Sequence, residues 1–154
     1  MNLTPADIVA AARSWLGTPY HHQAAVKGVG CDCLGLVRGV YEELFGRPAE
    51  APPPYSRDWA EASSVETMIE AARRHLVAID PREASAGDVA IFRLRAGAMA
   101  KHAAILSGKT RMIHAMEGAP ACEVHLNSWW LRRMAAAFRF PDMERTDVQP
   151  LPKP

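Results

Sequence analysis

The chain changes its periodicity once, at Asp80-Pro81, and that switch limits the folds open to it. Before it, apolar residues recur every three to four positions. Thr4, Pro5 and Asp7 supply a capping threonine, a first-turn proline and an acid at the capping-box spacing. Ile8, Ala11, Ala12, Trp15 and Leu16 then mark one inward helical face, and Gly17 marks its stop. A second helix starts at Asp32 or Cys33, carries Leu36, Val37, Val40, Leu44 and Phe45 on one side, and ends at Gly46. Arg47 to Tyr55 is proline-rich and reads as an extended surface connection. A third helix begins near Ser63, with Glu66 at the capping-box spacing, and turns Val65, Met68, Ile69, Ala72 and Leu76 inward.

After the switch come short β-like runs separated by turns: Asp88 to Leu94, His102 to Leu106, Met112 to Met116 and Glu123 to Leu126. A short helix around Ser128 to Met134 and a last strand, Ala136 to Phe140, complete the pattern. Helices followed by an antiparallel meander give an α+β fold. The chain has 154 residues, which suits one domain, here residues 1–140, with 141–154 as a flexible, proline-bearing tail.

A formal net charge of +1 gives no reason to expect nucleic acid as a partner. No run reaches the roughly 20 apolar residues that a membrane-spanning helix needs, so no membrane insertion is expected. The N-terminus lacks a basic run followed by an apolar core, and synthesis in the cytoplasm without a signal peptide is expected. Three cysteines, Cys31, Cys33 and Cys122, are an odd number, and two of them are too close for an ordinary structural disulfide.

Chemistry concentrates at Gly30-Cys31-Asp32-Cys33-Leu34-Gly35-Leu36-Val37. Cys33 stands at the first turn of an apolar helix, where the dipole and unpaired N–H groups lower a thiol pKa and stabilise an oxyanion. Asp32 is expected as the helix cap beside it rather than as a catalytic acid. Gly35 is expected to leave the turn open to a substrate backbone. Cys31 precedes the helix start and lacks the dipole's help. A nucleophilic cysteine needs a base, and the base needs an orienter. His102 opens one β-like run and His114 lies in the next, so two antiparallel strands can set them side by side. Taken singly, Cys33 also reads as a small core residue and each histidine as a satisfied core or edge residue. His125 is an alternative to His114. Zinc is the rival chemistry for Cys31, Cys33, His102 and His114, but Cys-x-Cys departs from the usual zinc-ligand spacing. No metal or cofactor is expected.

Asp32-Cys33-Leu34-Gly35-Leu36-Val37, preceded by Gly17-Thr18-Pro19-Tyr20 and followed by His102-Ala103-Ala104-Ile105-Leu106 and Ile113-His114-Ala115, resembles the NlpC-type cell-wall cysteine peptidases. The resemblance implies a papain-like arrangement, with the nucleophile at a helix N-terminus packed on an antiparallel sheet. It implies a Cys-His-His triad: Cys33 as nucleophile, His102 as general base and His114 as its orienter. Tyr20 matches a family tyrosine near the nucleophile that serves the oxyanion site, and Asp32 belongs to the same substrate-binding end. The implied substrate is the peptide stem of bacterial peptidoglycan, cut between D-glutamate and diaminopimelate. Leu34 stands where the family usually has serine. The run from Thr18 to Tyr41 looks most like the subgroup found among phage-tail and gene-transfer-agent genes. That implies phage-like tail proteins as partners and a particle as the route to the wall. Two other readings stay open: an amidase or acyltransferase on the same triad, and a catalytically silent tail-tip assembly protein.

Overall fold

The computed structural model describes residues 2–50, 66–143 and 152. Ser63 and Val65, which begin the expected third helix, and most of the expected tail lie outside the described residues.

Helix α1 spans Pro5–Arg13. Its capping box is complete: the Asp7 N–H donates to Thr4 Oγ1 at 3.2 Å, and the Thr4 N–H donates to Asp7 Oδ2 at 2.9 Å. The helix ends earlier than its periodicity suggests, and the chain turns through residues 14–17 to Gly17, where φ is +86°. Trp15 is still buried, but Leu16 is 41% exposed, because a helical period carries no meaning once the helix has stopped. After the two-residue strands β1 (Ala25–Val26) and β2 (Gly30–Cys31), α2 runs over Cys33–Phe45. Asp32 caps its start and Gly46, in the left-handed region, closes its end. Trp15 sits on Gly39 of α2: a Cβ there would lie 2.1 Å from the indole, so the close approach of the α1 end to α2 requires glycine.

Helix α3 (Thr67–His75) leads into β3 (Val77–Ile79). The remaining strands are β4 (Val89–Phe92), β5 (His102–Gly108), β6 (Arg111–His114), β7 (Cys122–His125) and β8 (Met134–Arg139), with the single turn α4 (Ser128–Leu131) before the last. They form one antiparallel sheet in the order β3-β8-β4-β5-β6-β7. The expected meander is β4 to β7. β8 returns beside β4, and β3 extends that edge. Sequence reading missed β3, a three-residue strand with no alternation to reveal it.

Both faces of the sheet are covered, which explains why β4 and the first five residues of β5 are buried throughout. One face carries Val89, Ile91, Ala103, Ile105 and Ile113 and shares a core with Ile8, Leu36 and Val40. The other carries Ala90, Phe92, Ala104, Leu106 and Met112, packed with Trp130 and Leu131 of α4. Because side chains alternate, His102 shares a face with Ala104 and Leu106. Leu106 pairs with Met112, which puts His114 on that face too. Past β8, Met143 bridges to Leu3, whose N–H donates to the Asp142 carbonyl at 3.3 Å.

Candidate active site

Asp32 organises the turn that carries Cys33. Its Oδ1 accepts the Gly35 N–H at 2.7 Å, and its Oδ2 accepts the Gln23 N–H at 2.8 Å. One buried carboxylate thus caps α2 and fastens the preceding loop, where Gln23 holds a φ of +65°. The Asp32 N–H returns a bond to the Ala24 carbonyl at 3.2 Å. Gly35 serves this packing and not substrate access: a Cβ on it would stand 1.8 Å from the Ala24 oxygen. The loop itself fills the space expected to stay open.

Cys33 is the first residue of α2 and keeps partial exposure. Its thiol donates to the carbonyl of Lys101, the residue before His102, at 3.8 Å. Burial pushes the thiol up to about 12, and the Asp32 charge adds to the shift. The N–H groups of Ala103, Leu34 and Cys33 pull the other way and lose. The expected lowering of the thiol pKa at a helix start is therefore outweighed here, because desolvation of a thiolate costs more than these N–H groups return.

His102 and His114 are each 4% exposed, and His102 Nε2 lies 2.9 Å from His114 Nδ1. The bond engages Nε2 of His102 and leaves Nδ1 as its available ring nitrogen. A neutral His102 that accepts a proton through Nδ1 carries its own hydrogen on Nε2 and donates it to His114. Burial, with the neighbouring His114 second, lowers His102 to about 3, and burial lowers His114 as well. The resting site therefore holds a neutral thiol and neutral imidazoles. This arrangement suits a general base that takes the proton as attack proceeds, not a preformed ion pair.

The structure thus brings His102 and His114 together and runs the start of β5 past Cys33. Tyr20 is half-buried and bridges to Cys31, one element upstream of the nucleophile. Cys31 is wholly buried before the cap, with its thiol raised to about 11. His125 is exposed and pairs with Arg111 at the far end of β6, so it does not stand in for His114. Among the described residues no group of His, Cys, Asp or Glu has the arrangement of a metal site. The sequence reading did not foresee the Lys101 carbonyl, since a backbone acceptor leaves no residue-type signal.

The profile of the NlpC/P60 family matches residues 17–139, from the turn before Tyr20 to the end of β8. The NlpC/p60 domain of the peptidoglycan hydrolase SagA superposes with a TM-score of 0.65 at 23% identity, covering 88% of this chain and 98% of that one. NlpC2 from Trichomonas vaginalis superposes with a TM-score of 0.60 at 19% identity, over 87% of this chain and 47% of its own. A γ-DL-glutamyl hydrolase from Bacillus subtilis (strain 168) is 24% identical over 145 residues, 94% of this chain. The chain spans 31% of the length of that hydrolase. The match covers the greater part of the chain, and the chain belongs to the NlpC/P60 family.

Proposed function

We propose that the protein is a cysteine endopeptidase acting on the peptide stems of bacterial peptidoglycan, with the bond between D-glutamate and diaminopimelate as its target. The observation that carries this reading is the 2.9 Å His102–His114 bond at the start of the strand that passes the Cys33 thiol. Family membership supports the reaction class. The names of two relatives, a peptidoglycan hydrolase and a γ-DL-glutamyl hydrolase, support the substrate.

Cys33 Sγ attacks the scissile carbonyl carbon while its proton passes to His102 Nδ1. The oxyanion takes the N–H groups at the start of α2, with the Tyr20 hydroxyl as a further donor. His102 then delivers the proton to the departing amine and the carbon–nitrogen bond breaks. Water gives a proton to His102 as its oxygen attacks the acyl carbon. The carbon–sulfur bond breaks and Cys33 recovers its proton. His114 holds Nε2 throughout, which fixes the tautomer.

Digestion of purified stem peptides with wild type and Cys33→Ala, with products identified by mass spectrometry, tests the proposal. Cleavage by wild type alone, between D-glutamate and diaminopimelate, is expected; equal cleavage by Cys33→Ala refutes the nucleophile. A second reading, an acyltransferase or amidase for an apolar acyl group, draws on a cavity of about 90 Å³ between α2 and α3 that reaches Leu34 and Ala103. Short-chain thioesters in the same assay separate the two. Delivery by a phage-like tail rests on the likeness of Thr18 to Tyr41 to that subgroup, and immunodetection in purified particles tests it.

A further inference from the structure

Trp130 contacts every ring of the histidine pair. Its ring centroid lies 5.4 Å from that of His102, at an interplanar angle of 30°, and 5.4 Å from that of His114, at 90°. The indole is itself held. Phe92 meets it edge-on at 4.9 Å, and Trp129 meets it at 4.8 Å. The Arg133 guanidinium lies 3.7 Å over the centre of Trp129. Asn127 Oδ1 accepts the backbone N–H of Trp130 at 3.2 Å and so fixes the turn that carries the indole. None of this is needed merely to anchor a one-turn helix.

We propose that Trp130 is a positioning residue of the catalytic pair: it excludes water from the His102–His114 bond and holds the His102 ring with Nδ1 available to Cys33. The indole, tilted 30° against the His102 ring, opposes rotation of that ring, which would exchange Nδ1 for Nε2. A hydrogen bond cleared of water is also stronger than one that competes with it. Among the described residues, the titratable and charged groups on the elements flanking the pair are Cys33 at the start of α2, Lys101 before His102, Cys122 paired with His114 across the sheet, and Arg132 and Arg133 after α4. Opening the site to water makes the imidazolium form less costly, so loss of the indole raises the pKa at which the base is protonated.

The inference rests on the triad reading, and the experiment separates the two. Hydrolysis of a purified stem peptide is measured against pH for wild type, Trp130→Ala, Trp130→Phe, Cys33→Ala and His102→Ala, alongside NMR titration of the histidine rings. Trp130→Ala is expected to lower kcat about tenfold, with KM little changed, as the ring contacts are each worth between about twofold and tenfold. Its acid limb and both histidine titrations move up by about one pH unit or more, and Trp130→Phe restores most of both. If Trp130→Ala does not fold, Trp130→Leu takes its place, and the ring titrations read the effect without activity. An unshifted acid limb and unshifted titrations overturn the role of Trp130, provided Cys33→Ala and His102→Ala are inactive. Activity surviving in either of those two overturns the triad itself.

Discussion

Alkylation of Cys33 in the substrate-free protein tests the resting protonation state directly. The thiol lies at about 12 and His102 at about 3. Burial opposes both the thiolate and the imidazolium, so the resting site keeps the proton on sulfur and its transfer accompanies attack on the substrate. At pH 7 a thiol at about 12 is ionised to roughly one part in 100,000, against a few per cent for free cysteine. Iodoacetamide should therefore label Cys33 roughly 1,000-fold more slowly than free cysteine. The rate should climb steadily through pH 9 with no plateau on the acid side. Peptide mapping distinguishes Cys33 from Cys31 and Cys122. Labelling as fast as free cysteine, or a rate plateau below neutral pH, would refute the neutral-pair reasoning and restore the ion pair.

Two further outcomes follow from the packing. His102 titrates at about 3 in the fold against 6.5 in a flexible chain, so between these values the native state binds fewer protons than the unfolded one. Stability should fall as pH drops through that window, by up to about 5 kcal/mol from His102, and His114 acts in the same direction. Urea midpoints should therefore decline between about pH 6.5 and pH 4, less steeply in His102→Gln; equal slopes in the two proteins would sink the argument. Gly35→Ala places a methyl against the Ala24 oxygen and should cost about 3 kcal/mol or more, read as a melting temperature lower by at least about 6 °C. A variant that melts with wild type would show that the loop yields.

The starts of α1 and α2 were legible because caps are written in residue types: Thr4 with Asp7, and Asp32 with Gly46 at the two ends of α2. The start of α3 was not: Glu66, expected within the first turn of that helix, precedes its first residue, Thr67, and makes no side-chain cap bond. Cys33, His102 and His114 stood out as three segments in order, and the antiparallel pairing of β5 with β6 brings the two histidines into contact. Burial was not legible. Nothing local in Cys33-Leu34-Gly35 says that the helix start will be desolvated enough to reverse the direction in which the N–H groups push the thiol. Gly35 misled for a related reason, since a glycine shows that something comes close without saying whether it is substrate or the protein's own carbonyl. Strand β3 was too short for periodicity. The place of Trp130 over both histidines depends on tertiary packing that no local pattern shows.

The double duty of Asp32 sets terms for anyone who wishes to redesign specificity. The backbone of the 21–24 loop is tied to the nucleophile turn at Gln23 N–H, at the Ala24 carbonyl and through the space left by Gly35. Loop grafts or insertions here would pull on the helix cap and displace the thiol. Side chains at positions 21 and 22 can be exchanged on a fixed frame, whereas Gln23 holds a left-handed φ of +65° that few residue types tolerate. A library in this loop should therefore vary residue identity at positions 21 and 22, hold loop length constant, and leave Gln23, Asp32 and Gly35 untouched.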